Sequence, residues 1–420
     1  MTGITGQKTS GVRLAWPGRH APEAELHHEL APLLTIPAGR LDVGAARLIA
    51  GQALAVLDRL LQEGRAGQID LVYLDPPFGA GVAWPRRRDV QTATGQVSHD
   101  VVAYDDPADE LPVWLQHLDT VLDRVHRLLS PRGSLYLHLD FRRAPHARLL
   151  LDERFGPACL RNEIVWAYGL GGSSQDRFGR KHDVIQFYAK SPKHAYFQAP
   201  LQKATSQRMK GQSKRATDVW QTPHTGTNAQ IEGAWPDTLV DLTLSNSDSQ
   251  RTGYPTQKPL ALLERIVHAS LPPGGVALDP MAGSGTLGIA AVRVGGQALL
   301  GDRSAVALDA SRGRLVQAGA AVQLDNVDAT LEVRTLPQPG ARLVGDRAEL
   351  LPLAMAGQDN DALSAWGIAD PMGQVLAWWD GGAQRLRGPV PLELPLRAGQ
   401  AQRLVAIDTS GRLWASELVR

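Results

Sequence analysis

The apolar positions of this chain switch repeatedly between helical spacing and short, nearly continuous runs. Leu54, Leu57, Leu60 and Leu61 recur at helical intervals across residues 53–62, and Gly64 stops the pattern. A run at 69–74 predicts a strand. An amphipathic pattern over 111–129 predicts a helix that ends in Ser130-Pro131-Arg132-Gly133. Runs at 47–50, 134–139, 162–166 and 184–188 predict further strands, with a helix over 145–153. After Pro259 come a helix over 260–269, a strand over 275–278, a helix over 286–294 and a short strand over 297–300 leading to Asp302. Strands alternating with helices in this way predict an α/β fold with a mostly parallel sheet covered on both faces.

Four stretches depart from that rhythm. Residues 1–40 show no sustained period and read as an N-terminal arm. Residues 79–106, rich in Gly, Arg, Thr and Ser, read as a loop that is mobile in the free protein, and a connection of that length suggests a lid. From 191 to 250 the periodicity fades among polar residues, with Trp220 and Trp235 interspersed, which marks an insertion with its own task. Beyond 330, turn signals such as Asp380-Gly381-Gly382 and Asp408-Thr409-Ser410-Gly411 separate short apolar runs and predict a small β-rich C-terminal appendage. No internal repeat is visible.

The chain has 420 residues, enough for two or three domains. Its one cysteine, Cys159, excludes an internal disulfide and a cysteine-based metal site. No segment has the length of a membrane helix, and residues 1–17 lack the apolar core of a secretory signal, so a cytoplasmic location is expected. The net charge of +1 conceals a segregation. Six of the eight lysines lie between Lys181 and Lys214, and residues 176–215 alone carry +8. A basic stretch in an otherwise acidic chain suits a phosphate-contacting surface, here Lys181, Lys203, Lys210, Lys214 and Arg215.

Two strand ends carry the chemistry. Residues 69–74 run into Asp75-Pro76-Pro77-Phe78, and 275–278 into Asp279-Pro280-Met281-Ala282-Gly283-Ser284-Gly285-Thr286. Prolines have no N–H, so the first turn presents carbonyls together with the Asp75 carboxylate. Such a set suits a group with two N–H donors, an exocyclic amine, and Phe78 offers a flat face to a ring. In the second turn Gly283 and Gly285 let a ligand approach the backbone, and a helix beginning near Thr286 points N–H groups at it. No lysine follows the last glycine, which argues against a nucleoside-triphosphate loop. Asp302 ends the next strand and is placed to accept hydrogen bonds from a ribose diol.

Asp75-Pro76-Pro77-Phe78 resembles the catalytic motif of DNA amino-methyltransferases, which modify adenine N6 or cytosine N4. Residues 279–286 look like their S-adenosylmethionine loop, and Thr252-Gly253-Tyr254-Pro255-Thr256-Gln257-Lys258-Pro259 is similar to the segment that precedes this loop in the β group. The motif order is that of the β group, and the resemblance covers roughly residues 45–320. It implies a doubly wound, Rossmann-like methyltransferase sheet: a catalytic half over 41–190, a target-recognition region over 191–250 and a cofactor half over 251–325, followed by the appendage at 330–420. The implied cofactor is S-adenosylmethionine, held by Asp279, Met281, Gly283, Ser284, Gly285, Thr286 and Asp302, with Thr256 and Lys258 toward its carboxylate and Gln52 toward its adenine. The implied catalytic residues are Asp75, Pro76, Pro77 and Phe78, with Tyr73 as a second stacking ring. The implied partner is double-stranded DNA, with any restriction endonuclease on a separate chain and a homodimer admissible.

The sequence departs from the family pattern at two positions: Met281 stands where Phe is usual, and Gln52 where Asp is usual. Aspartate at the head of the catalytic motif leans the expectation to adenine N6 over cytosine N4. An RNA substrate and a non-catalytic DNA-binding protein on the same scaffold are the competing readings. His138 and Asp140 read as a packed or hydrogen-bonded polar pair, no metal site is expected, and Trp378-Trp379 reads as core.

Overall fold

The computed structural model describes residues 14–36, 44–92, 95–167, 174–203, 212–221 and 252–327, and segments between 330 and 419. In chain order the elements up to residue 106 are β1 (Leu30–Ile36), β2 (Ala45–Ala50), α1 (Ala53–Gln62), β3 (Ile69–Leu74), β4 (Val82–Thr92) and β5 (Gly95–Asp106). Then come α2 (Leu111–Leu128), β6 (Leu129–Leu139), α3 (Ala144–Phe155), β7 (Leu160–Ala167) and β8 (His182–Ala189). Three short strands follow, β9 (Leu201–Lys203), β10 (Ser213–Arg215) and β11 (Val219–Gln221). After residue 252 come α4 (Leu260–Ser270), β12 (Val276–Asp279), α5 (Thr286–Arg293), β13 (Gln297–Asp302), α6 (Ala305–Gln317) and β14 (Ala321–Val327).

Ten strands form one sheet in the order β1-β14-β2-β13-β12-β3-β6-β8-β7-β11. Most neighbours run parallel; β1 with β14, and β8 with both β6 and β7, run antiparallel. This is a mixed, mostly parallel, doubly wound sheet, as the motif resemblance implied. Helices α1, α2 and α3 bury Leu57, Leu60, Leu118, Leu122 and Leu150 on one face, against Val72, Leu74, Leu135 and Leu278. Helices α4, α5 and α6 bury Leu263, Ile266, Ile289 and Leu308 on the other, against Leu48, Leu71, Tyr136, Ala277 and Leu300. Central strands covered on both faces must be apolar at nearly every position, which is why β3 is buried throughout.

The decisive adjacency is that of β12 and β3. They pair in parallel, Ala277 with Leu71 and Leu278 with Val72, so the two motif-bearing turns emerge side by side at the same sheet end. On the far side of β12, β13 pairs Leu300 with Asp279, and β2 pairs Ala50 with Asp302. Gln52, Asp302, Asp279 and Asp75 therefore stand in a row along the carboxyl ends of β2, β13, β12 and β3.

Three features differ from the sequence reading. Residues 79–106 contain a long antiparallel hairpin, β4–β5, paired from Val82 with Asp106 to Thr92 with Gly95. Arg and Thr do not oppose extended backbone, and the hairpin's pairing partner is itself, so no apolar alternation was needed to form it. Within the stretch read as an arm, β1 closes the sheet edge against β14. The segment Ser130-Pro131-Arg132-Gly133 does not interrupt the chain between helix and strand; it is already part of β6. Beyond 330, eight further strands form a second sheet with its own core around Trp366, Leu404 and Trp414. Ala365, Val405 and Ile407 on its other face join the core under α4–α6.

Candidate active site

The turn after β3 is fixed from three sides. Trp114 on α2 donates its indole N–H to the Pro77 carbonyl at 2.9 Å. Arg143, at the start of α3, donates Nε to the Phe78 carbonyl at 3.0 Å, and its guanidinium lies 5.0 Å over the Trp114 ring. Gly79 N–H donates to Asp106 Oδ1 at 2.7 Å, tying the turn to the base of the hairpin. Among the described residues nothing donates to the Pro76 carbonyl. The turn thus keeps one rigid carbonyl acceptor beside the Asp75 carboxylate. That carboxylate is ion-paired with Lys258 Nζ, both side chains being largely buried, at 19% and 13% exposure.

The loop after β12 is held by its own carboxylates. Asp279 Oδ1 accepts from Met281 N–H at 3.0 Å. Asp302 accepts from Gly283 N–H at 2.9 Å and from Ser304 N–H at 2.8 Å. Gly283 (φ 52) and Gly285 (φ 72) both occupy the left-handed region, and a Cβ at Gly285 would sit 2.7 Å from Ser311 Oγ. Thr286, first residue of α5, donates its hydroxyl to the Lys258 carbonyl at 3.2 Å. The chain that carries Lys258 is therefore attached to the cofactor loop by its backbone and to Asp75 by its side chain. Half-buried Arg314 braces the same turn, with 2.7 Å to the Ser284 carbonyl and 2.9 Å to Thr286 Oγ1.

Burial pushes the Asp279 carboxyl well above the usual carboxylate range, and the charges of Asp75 and Asp302 push it further, with Lys258 opposing them. Burial also raises Asp302, to about 6, against the backbone N–H donors of Ser304, Gly283 and Arg303 and the Arg303 charge. Among the described residues, seven aspartates face one space against Lys258 and Arg303, a setting that favours a positively charged ligand.

That space is a cavity of about 670 Å³ into which both turns open. Asp75, Pro76, Pro77 and Phe78 line one part of it; Asp279, Met281, Gly283, Ser284, Thr286 and Asp302 line another, together with Gln52, Thr256 and Lys258. Of the anticipated cofactor residues only Gly285 is outside the lining, where it serves the backbone turn. Of the anticipated basic residues, Lys181, Lys214 and Arg215 lie outside its lining. Arg215 is exposed and Lys214 and Lys181 are half-buried; Lys214 and Arg215 lie on β10, which pairs with β9. Lys210 and Trp235 lie outside the described residues, as does most of the anticipated recognition region.

Several lining residues were not singled out by sequence. Trp84, Tyr104 and Tyr254 form a stack with ring centres 6.3 Å apart at each step, and Tyr104 bonds Thr256 Oγ1 at 3.1 Å. Burial raises the Tyr104 hydroxyl to about 12. Thr256 itself has φ 53, unusual for a β-branched residue, so the backbone is bent to present it. His138 pairs not with Asp140 but with Tyr73, 2.7 Å from its hydroxyl, and with Asp183, at 3.3 Å. Asp140 instead accepts from the Arg142 and Arg143 N–H groups and starts α3. The available signal was alternation: Tyr73 and Asp75, two residues apart on an extended chain, point to one face.

With this geometry, comparison with known proteins is direct. The DNA methylase family model N6_N4_Mtase matches residues 69–311, more than half of the chain, and the chain belongs to that family. Type II methyltransferase M.ScaI of Streptomyces caespitosus is 30% identical over 200 residues, covering 43% of this chain and 60% of that protein. DNA adenine methyltransferase YhdJ of Escherichia coli K12 is 28% identical over 256 residues, covering 60% of this chain and 76% of that protein. The alignment with M.ScaI thus spans less than two thirds of that relative's length. Among solved structures, the M1.HpyAVI–SAM complex aligns with TM-score 0.42 and 16% identity, over 64% of this chain and 98% of that one. No described helix is long and apolar enough to cross a membrane.

Proposed function

We propose that this protein transfers a methyl group from S-adenosylmethionine to the exocyclic amine of a base everted from double-stranded DNA, adenine N6 in preference to cytosine N4. The observation that carries the reading is the single cavity shared by the amine-accepting turn and the glycine-bearing loop. Family membership supports the reaction class. Aspartate at position 75, and the name of the Escherichia coli relative, support adenine.

The residues fit the cofactor. A sulfonium is positively charged, and the mutual repulsion among Asp75, Asp279 and Asp302 is relieved by a cation between them. Asp302 would accept from the ribose, Gln52 and Met281 would meet the adenine, and the Gly283–Thr286 turn would adjoin the methionine portion. Thr256 and the remaining N–H donors of Lys258 would face its carboxylate. Bound there, the cofactor supplies an electrophilic methyl group.

The chain's own residues prepare the nucleophile. Asp75 and the Pro76 carbonyl accept the two amine hydrogens, which draws the nitrogen toward tetrahedral geometry and localises its lone pair. Phe78 covers one face of the base. Trp114 and Arg143 hold the neighbouring carbonyls, so this acceptor pair is set before the base arrives and loses little to reorganisation. Lys258 keeps Asp75 aimed.

The test is base-resolved modification sequencing of DNA from cells expressing the protein, alongside Asp75→Ala. Methylated adenine or cytosine at a defined site, lost in Asp75→Ala while S-adenosylmethionine binding by calorimetry persists, is the expected result. Wild-type activity in the variant would sink the assignment of this turn.

A further inference from the structure

We infer that Phe178 is a wedge that enters the DNA base stack when the target base leaves it; this rests on the methyltransferase reading above. Among the described large apolar side chains Phe178 is the most exposed, at 98%. A ring with no covering contact gains nothing for the fold, and single exposed apolar residues are ordinary. What sets this one apart is its surroundings. Arg177 precedes it, 59% exposed and only loosely paired with Asp176 at 3.7 Å. Arg180 and Lys181 follow within three positions. The ring therefore stands in a cationic setting that draws it toward phosphates.

The segment is also anchored to the active site. The Arg180 guanidinium lies 3.8 Å over the ring of Phe141, two residues past the end of β6. Two residues further, Arg143 holds the Phe78 carbonyl of the catalytic turn. On the other side, Asp183 lines the cavity and bonds His138, which bonds Tyr73. Asp183 is five positions beyond Phe178. An extended chain of that length spans at most about 18 Å, only a few base steps from a base held in the cavity. Apolar side chains placed between base steps unstack them and stabilise the distorted duplex. An aromatic ring stacks on any base, so this role suits eversion and not sequence readout.

The experiment compares wild type, Phe178→Ala and Phe178→Trp on two duplexes containing the methylated site, one fully paired and one with the target opposite an abasic position. A fluorescent base analogue at the target reports eversion without cofactor. Phe178→Ala is expected to lose the eversion signal and to slow methylation of the paired duplex by roughly ten- to a hundredfold. On the abasic duplex, where opening is already achieved, it should act like wild type, and Phe178→Trp should restore the paired duplex. Equal slowing on both duplexes, or no slowing on either, would overturn the wedge. So would an effect confined to self-association without DNA, seen by sedimentation, which would assign the ring to a protein contact. If wild type methylates neither duplex nor any DNA, the methyltransferase reading itself has failed.

Discussion

Lys258 stands among the Asp75, Asp279 and Asp302 carboxylates, and its ammonium is committed to Asp75. Its two expected roles, toward Asp75 and toward the cofactor, separate kinetically. Lys258→Met is expected to lower kcat by about ten- to a hundredfold, more than it weakens cofactor binding. Titration calorimetry beside steady-state rates reads both, and a collapse of binding with kcat kept would give Lys258 wholly to the cofactor. Asp302 adds a pH dependence. Its carboxyl, raised to about 6 in the folded protein, stays protonated from the unfolded value upward to that point. Ionising it in place costs the native state, so this group's contribution to stability falls as pH rises through that window. Cofactor binding has the opposite sign, because a ribose hydroxyl donates to the ionised form. Affinity should fall by up to about tenfold per pH unit below 6 and level off above it. Asp302→Asn should flatten that profile; an unflattened one places the titrating group elsewhere.

At the scale of elements, the β4–β5 hairpin is stitched to the cofactor half. Arg86, buried on β4, donates to the Val306 carbonyl at 3.2 Å and meets Asp309 at 3.5 Å. The Ser304 hydroxyl donates to the Ala103 carbonyl at 2.5 Å. Arg86→Ala is expected to free the hairpin while the central sheet holds. Limited proteolysis should then cut within residues 82–106 much faster, with Tm lowered by only a few degrees. Equal protection in variant and wild type would mean that the aromatic stack and the Ser304 bond hold it without Arg86. The central elements were legible because double burial writes itself as apolar runs: β3 and β12 need little else. The hairpin was not, because a ladder closed on itself leaves no periodic trace among Arg, Thr and Gln. The same division holds for the site. Asp75–Phe78 and Asp279–Thr286 are local turns with local residue preferences, whereas the Tyr73–His138–Asp183 chain and the Trp84–Tyr104–Tyr254 wall exist only once strands and hairpin are side by side.

For the whole molecule, the uneven charge sets how it meets a polyanion. A chain of net +1 that carries +8 over residues 176–215 is expected to meet phosphates through that stretch. Neutralising Lys214 or Arg215 is expected to weaken binding to all DNA sequences alike, lowering the slope of log affinity against log salt by about one unit per lost contact. Binding measured across a salt series checks this. An altered methylation site with an unchanged slope would mean that these side chains read bases.

Because β12 meets β3 by lateral pairing and not by chain succession, the order in which the two motifs are translated has no bearing on the cavity they build. That pairing does not require the chain to be continuous between residues 221 and 252. Two polypeptides made separately and parted between residues 221 and 252 would still share the apolar seam of β3 and β12. Their reassembly, absent either piece alone, would make methylation of a reporter plasmid a record of whether two fused proteins have met.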